Sequence, residues 1–367
     1  MNHQLYPLQV AETKHETNEA LVITFDIPAE LQDLFTFEMG QYVTLELEIH
    51  GEKVRRAYSM CSAPHEGKLT VAVKRTKGGV MSNFLNDTIK QGSMVNVMPP
   101  QGKFTTPISP SNTRTFYLLG GGSGITPLFS ILKSVLQEEP KSVVHLLYGN
   151  ENEDSIIFKD DLDKLQKHYE GQLFVEHILS KPKAEKSGGV FGFMKKSTVS
   201  WQGLTGIPDK IALEKWLMRN PQHTKEAVYF TCGPLPMMQN LEQVVTQKGI
   251  DKKYFHMEVF ATAGKTEDTA TKSAGNNAVV SVILSGKKST VEVPAGQTIL
   301  DAMLKAGYDA PYSCKSGACS TCIAKLTKGK VKMDACFALD DDEIKKGYIL
   351  ACQAKPTTDD LEVNFDV

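Results

Sequence analysis

Four cysteines near the end of the chain, Cys314, Cys319, Cys322 and Cys352, stand in a C-x4-C-x2-C…C arrangement. That spacing can hold a [2Fe–2S] cluster, with three thiolates from one tight loop and the fourth from further along the chain. The residues between the first three, including Ser316, Gly317, Ala318, Ser320 and Thr321, are small. Small residues let the backbone approach a cluster and aim its N–H groups at sulfur. The same cysteines could instead be buried apolar thiols, a zinc knuckle or a disulfide frame. Zinc sites usually pair two short C-x2-C units or add nearby histidines, whereas here one cysteine stands alone and no histidine follows His256. Cys336 lies outside the pattern and reads as a small buried hydrophobe.

Three stretches upstream carry residues suited to nucleotide chemistry. Arg56-Ala57-Tyr58-Ser59 supplies a cation, a ring and a hydroxyl, and the strand-like run to Lys74 is followed by Gly78-Gly79 and Ser82. Gly120-Gly121-Gly122-Ser123-Gly124-Ile125-Thr126-Pro127 reads as a glycine turn that opens a helix, with Thr126 as its cap and Pro127 at its first position. A helix start of this kind attracts a diphosphate. Thr231-Cys232-Gly233-Pro234 closes an apolar run at the ligand edge expected of an open sheet.

Together these stretches resemble the R-x-Y-S, G-G-G-x-G-I-T-P and C-G-P-x-x-M motifs of the ferredoxin–NADP reductase superfamily. The stretch from Ala278 to Phe365 resembles a plant-type ferredoxin. The resemblance implies FAD, with Arg56 on its diphosphate, Tyr58 packed on its isoalloxazine and Ser59 reaching N5. Lys74, Gly79 and Ser82 are further flavin contacts. It implies a nicotinamide nucleotide against Gly120, Gly122, Gly124, Thr126, Gly233 and Pro234. Ser59, Cys232 and Glu258 then form the catalytic set, Cys232 positioning the nicotinamide without covalent chemistry, and Phe260 lies near the flavin. It also implies Cys314, Cys319, Cys322 and Cys352 as the ligands of a [2Fe–2S] cluster. Ser180 and Lys181 resemble a pair that grips a 2′-phosphate, while Glu151 stands where many NADPH-using relatives carry Arg. The expectation leans to NADPH over NADH.

These residues need three kinds of scaffold. Residues 1–108 hold short alternating runs, Leu21 to Ile27, Tyr42 to Ile49, Lys68 to Lys74 and Met94 to Val97, the pattern of an antiparallel β-barrel. In residues 109–260 apolar strands alternate with helical patterns, as in an α/β doubly wound parallel sheet. Within it, residues 182–206, rich in Lys, Gly and Ser around an apolar knot at Val190–Met194, read as a long surface insertion. Residues 261–277 are small and polar and read as a flexible linker, whose 17 residues give a reach of roughly 20–25 Å. Residues 278–367 are the ferredoxin-like part, for which the resemblance implies an α+β β-grasp fold.

A chain of 367 residues is long enough for two or three domains at about 150 residues each. A net charge of −2 argues for no nucleic-acid partner. No apolar run approaches the ~20 residues of a membrane span, and the first residues lack the pattern of a signal peptide. Seven cysteines, most of them assigned to a labile cluster, suit a reducing cytoplasmic compartment. The domain order resembles reductases that serve multicomponent oxygenases, so the expected partner is a terminal oxygenase or another one-electron acceptor protein. A reductase of another hydroxylase or desaturase, or a non-enzymatic redox carrier or sensor, are the alternatives. The acidic run Asp340-Asp341-Asp342-Glu343 resembles a ferredoxin docking face, although a solvated helix start would read the same way.

Overall fold

The structure, a computed structural model, describes residues 3–186, 197–260 and 277–367. Nearly all of the expected linker, and the knot at Val190–Met194, lie outside the described residues.

The first unit is built from β1 (Tyr6–Thr17), β2 (Ala20–Asp26), β3 (Tyr42–Ile49), β4 (Glu52–Ser59), β5 (Leu69–Lys74) and β6 (Met94–Gln101). Apolar residues recur at every second position, as in Leu21, Ile23 and Phe25 or Leu69, Val71 and Val73, and these point into one core. The strands order as β4-β3-β6-β1-β2-β5 in one six-stranded antiparallel sheet. The sheet closes on itself just past β4, where Met60 bridges to Val71 and Cys61 N donates to Thr70 O at 2.9 Å. Helix α1 (Val80–Thr88) plugs this barrel with Met81 and Leu85.

The second unit is a parallel six-stranded sheet. Its elements are β7 (Arg114–Gly121), α2 (Ile125–Glu138), β8 (Val143–Asn150), α3 (Lys159–His168), β9 (Leu173–Leu179), β10 (Ala184–Lys186), β11 (Ser197–Val199), β12 (Leu204–Thr205), α4 (Lys210–Arg219), β13 (Glu226–Cys232), α5 (Leu235–Gln247) and β14 (Phe255–Glu258). The sheet runs β12-β9-β8-β7-β13-β14. Every residue of central strand β7 is buried, because helices cover both faces. Phe116 and Leu118 pack with α2, while Tyr117 and Leu119 pack with Trp216 of α4 and Leu241 of α5.

Two local expectations are corrected. Helix α2 begins two residues earlier than the Thr126–Pro127 reading, with Gly124 as its cap. One 3₁₀ turn, Gly122–Gly124, leads into it, and the Thr126 hydroxyl donates back to Ser123 O at 3.1 Å. Pro127 is still tolerated, since first-turn N–H groups have no intrahelical partner. The stretch 182–206 is also more than a loop. Strands β10 and β11 pair antiparallel, and β12 adds an edge strand beside β9, with Trp201 Nε1 donating to Leu204 O at 2.9 Å.

The third unit holds β15 (Ala278–Leu284), β16 (Lys287–Val293), α6 (Ile299–Lys305), β17 (Ile323–Lys328), β18 (Val331–Met333), α7 (Asp341–Lys345), β19 (Tyr348–Leu350), β20 (Ala354–Pro356) and β21 (Asp360–Asn364). A five-stranded mixed sheet, β16-β15-β21-β17-β19, grips α6 through Ile299, Leu300 and Met303. The acidic run serves α7 first: Asp340 Oδ1 accepts from Glu343 N at 2.7 Å, and Glu343 Oε2 accepts from Asp340 N at 3.1 Å. Glu343 also pairs with Lys103 of the first unit.

Candidate functional site

One cavity of about 240 Å³ is lined by residues of all three units. Barrel strand β4 contributes Arg56, Tyr58 and Ser59, and the turn into α1 contributes Gly78, Gly79 and Ser82. The second unit supplies Ser123, Thr126, Glu258 and Phe260, and the third supplies Cys314, Ala318 and Cys319.

The walls fit a flavin dinucleotide. Arg56 and Lys74 bring positive charge to the start of α1, where unpaired N–H groups favour an anion. At Gly79, which caps α1, a Cβ would sit 2.6 Å from Ser82 Oγ and 3.1 Å from Thr76 O, so a side chain there would crowd the turn. Tyr58 and Phe260 supply flat apolar wall, and burial raises the Tyr58 phenol well above its ordinary range.

At the far end of β4 the Ser59 hydroxyl donates to Glu258 Oε2 at 3.0 Å. Glu258 faces the cavity, yet the protein packed around it pushes its carboxyl up to about 8, against the opposing pull of the Ser59 hydrogen bond. Cys232 sits in register with Glu258 on one side and Gly120 on the other. Its side chain is fully buried rather than on the cavity wall. Burial, then the Glu258 charge, raises its thiol well above the ordinary value. It is therefore a neutral packing group and not a nucleophile.

The glycines expected to meet a nicotinamide nucleotide divide in two. A Cβ at Gly124 would lie 2.0 Å from Cys232 O, and one at neighbouring Gly121, which was not among the expected contacts, would lie 2.6 Å from Pro234 Cδ. Those glycines let the β7–α2 turn touch the Cys232–Pro234 turn, and Gly120 faces Leu128 and Tyr148 in the core. Gly122 differs, since a Cβ there would meet only Lys74 Nζ, at 4.0 Å. Thr126 and Ser123 line the flavin cavity. Gly233 shares the close contact with Gly121. The C-terminal edges of β7, β8 and β13 thus leave a nucleotide the open rim of the sheet.

Ser180 and Lys181 follow β9 at that rim, their backbones bonded to Asn150 O and Glu151 O. The Lys181 ammonium pairs with Glu151 at 2.9 Å. An exposed carboxylate thus stands beside the cation expected to grip a 2′-phosphate.

The four cysteines of the third unit converge. Cys314 Sγ accepts from Ser316 N at 3.4 Å and from Cys319 N at 3.3 Å. Hydrogen bonds from Cys319 and then Cys352 hold the Cys314 thiol far down, and Cys352 is raised by Cys314 and Cys322. Backbone N–H groups aimed at sulfur, and a buried Ser313 hydroxyl with no partner among the described residues, fit a sulfide-bearing cluster. No three metal-binding side chains among the described residues gather as a site for a single ion, and a two-iron cluster does not need that, as it takes two thiolates per iron. Gly317 has φ of +74°, and a Cβ there would meet Ala335 O at 2.7 Å. Cys336 is half-buried against the same core, and all seven cysteines are free.

Tyr42, Gln101 and Thr321, absent from the sequence-derived site, join the cavity to the cysteine loop. The Tyr42 hydroxyl lies 3.1 Å from Thr321 Oγ1, and Thr321 Oγ1 donates to Gln101 Oε1 at 3.1 Å. No sequence signal could have found them, since the partners are 279 and 220 residues apart.

Comparison with known proteins agrees with this arrangement. The family models described as oxidoreductase FAD-binding domain, oxidoreductase NAD-binding domain and 2Fe-2S iron-sulfur cluster binding domain match residues 7–106, 118–243 and 282–357. The chain is 34% identical to one of the subunits of the 1,2-phenylacetyl-CoA epoxidase of Escherichia coli, covering 98% of both chains. It is 36% identical to the ferredoxin reductase component of 3-ketosteroid-9-alpha-monooxygenase of Rhodococcus rhodochrous, over 98% of this chain and 96% of that one. Among solved structures, phthalate dioxygenase reductase shares the fold with a TM-score of 0.58 at 22% identity, covering 98% of both chains. Among the described residues no helix is long and apolar enough to cross a membrane.

Proposed function

The chain belongs to the ferredoxin–NADP reductase family, in the branch of oxygenase reductases with a C-terminal [2Fe–2S] domain, and from that membership we propose that it carries electrons from NADH to a separate oxygenase resembling phenylacetyl-CoA epoxidase. The observation that carries the reading is the single cavity walled by Arg56, Tyr58 and Ser59 at one side and by Cys314 and Cys319 at the other. When bound, FAD accepts a hydride and gives up its electrons singly, and the cluster takes one at a time.

The residues divide the work. Arg56, Lys74 and the start of α1 at Gly79 hold the flavin diphosphate, with Ser82 bracing the turn through its bond from Thr76 N at 3.1 Å. Tyr58 and Phe260 would supply apolar surface to the isoalloxazine ring. Ser59 and Glu258 form a hydrogen-bonded pair at the hydride end, where Glu258 can hold a proton at neutral pH. Fully buried Cys232 packs behind the strand end where the nicotinamide rests and positions it through that packing, and Gly122 leaves room for its nucleotide beside the Gly233–Pro234 turn. Cys314, Cys319, Cys322 and Cys352 hold the cluster.

NADH is preferred over the NADPH first expected. Glu151 neutralises Lys181 at the sheet rim, so a 2′-phosphate meets a carboxylate where a ribose diol would find an acceptor. Seven free cysteines suit a reducing cytoplasmic setting.

The test is reduction of the purified holoprotein by NADH or NADPH, followed by flavin absorbance and the cluster's electron paramagnetic resonance, then transfer to purified epoxidase or ketosteroid oxygenase components. Bleaching of both centres with NADH, and faster turnover with the epoxidase, is the expected result. A protein without flavin or iron, or one that reduces no cluster, overturns the reading. Equal transfer to the ketosteroid oxygenase would remove only the choice of acceptor. Faster reduction by NADPH would return Lys181 to the role of phosphate partner.

A further inference from the structure

Ser59, Tyr42 and Gln101 occupy one rung of the barrel, since Tyr42 pairs with Ser59 across β3–β4 and with Gln101 across β3–β6. Directly opposed residues of antiparallel strands project to the same face. At one end of the rung Ser59 binds Glu258 of the nicotinamide unit. At the other, Tyr42 and Gln101 both bind Thr321, which lies between cysteines 319 and 322. One row of three side chains thus touches both other units.

The hydrogen bonds have a definite direction. Gln101 Nε2 faces Met98 Sδ at 3.5 Å and His3 Nδ1 at 3.3 Å, so the amide oxygen is turned to the Thr321 hydroxyl, which donates to it. A threonine hydroxyl has one proton, so the Tyr42 hydroxyl donates to Thr321 Oγ1. Tyr42 and Gln101 are buried, and Thr321 is fully so, which makes an unsatisfied member costly. An ordinary phenol keeps its proton at neutral pH, so Tyr42 remains a donor. Tyr42 also lines the cavity that Cys314 and Cys319 share. A second anchor stands on β4, where Arg55 pairs with Asp309 at 3.2 Å and lies 4.8 Å from the Tyr312 ring centroid.

Resting on the proposed flavin-to-cluster route, we propose that Tyr42 and Gln101 are positioning residues that seat Thr321 and thereby fix the cysteine loop against the flavin cavity, setting the rate of electron transfer between the two centres. Ligation is left to the cysteines and hydride transfer to the Ser59 end of the rung. Loss of a seat hydrogen bond slows cluster reduction by about two- to tenfold.

The experiment uses the holoprotein with FAD and iron contents measured. Rapid-mixing absorbance follows flavin and cluster reduction separately, and amide hydrogen exchange follows residues 319–323. Gln101→Leu should leave flavin reduction by NADH unchanged, slow cluster reduction and raise exchange in the loop. Tyr42→Phe should slow cluster reduction, Thr321→Val should slow it at least as much because it also removes the bond to Gln101, and their combination should be no slower than Thr321→Val alone, because the valine has already removed the Tyr42 bond. Thr321→Ser keeps the hydroxyl and should behave as the unaltered protein. Unchanged cluster reduction and unchanged exchange in Gln101→Leu and Tyr42→Phe overturn the proposal, as does equal slowing by Thr321→Ser and Thr321→Val, which would trace the effect to methyl packing. Should Thr321→Val lose iron, the two barrel-side variants decide. Failure of the unaltered protein to reduce its cluster instead refutes the electron route itself, a result the variants cannot mimic.

Discussion

Glu258 binds its proton more tightly in the folded chain than its ordinary value of 4.5 would allow, its carboxyl being pushed up to about 8. The folded state therefore holds more protons between those values. The stabilisation from this group is full below about 4.5 and is lost as pH rises through about 8. Flavin reduction should fall over the same upper limb, because a carboxylate then appears at the hydride end. Glu258→Gln should flatten both profiles, by stopped-flow and by thermal unfolding at a series of pH values; an unchanged upper limb would assign it to another group. Cys232 makes a different claim. Cys232→Ala should slow hydride transfer severalfold, the effect of roughly 1 kcal/mol of lost positioning, while FAD and iron content remain. Loss of flavin in that variant would mean that Cys232 supports flavin binding rather than nicotinamide positioning.

The loop from Cys314 to Cys322 is an element whose geometry rests on one backbone position. Gly317 adopts φ of +74°, its carbonyl accepts from Phe337 N at 3.0 Å and Ala338 N at 3.1 Å, and a Cβ would collide with Ala335 O. Gly317→Ala should destabilise the third unit by about 1–3 kcal/mol, read as iron release at lower temperature with flavin retained. Loss of flavin at the same temperature would mean that the units melt together. The α2 start makes a related point about turns. Only glycine at 124 permits the approach to Cys232 O, so the helix begins where tertiary contact demands and not at the threonine that local cap preference favours.

Across the whole molecule the barrel acts as the hub, bonded to the nicotinamide unit through Ser59 and to the cysteine loop through Tyr42 and Gln101. The third unit is also held by two ion pairs, each with one covered and one exposed partner, Lys103 with Glu343 and Arg55 with Asp309. A fully salt-independent internal step is therefore not expected. Partly covered pairs are screened less than exposed ones, so salt above ~0.15 M, where the Debye length is about 8 Å, should slow internal cluster reduction by less than about fivefold. Transfer to the oxygenase should fall more steeply if the exposed Asp341 and Asp342 steer a basic partner, and changing both to Asn should reproduce that loss for the partner step alone. Equal salt slopes for the two steps would leave these aspartates as plain surface.

The barrel and the parallel sheet were legible in the sequence because each rests on local periodicity, alternation at two residues and apolar strands between helices, whereas the third unit was legible through the spacing of its cysteines and its resemblance to plant-type ferredoxins. Candidate residues on short motifs, Arg56 to Ser59 and Cys314 to Cys322, were legible for the same reason, since neighbours in sequence remain neighbours in space. The tertiary structure alone decided which motifs share a cavity. It set Glu258 against Ser59, committed Lys181 to Glu151, drew Gly121 and Gly124 into packing, and put Thr321 on Tyr42 and Gln101. Those contacts join residues up to 279 positions apart, and a contact at that distance leaves no period or spacing in the chain, because it follows from how the surfaces of three units meet.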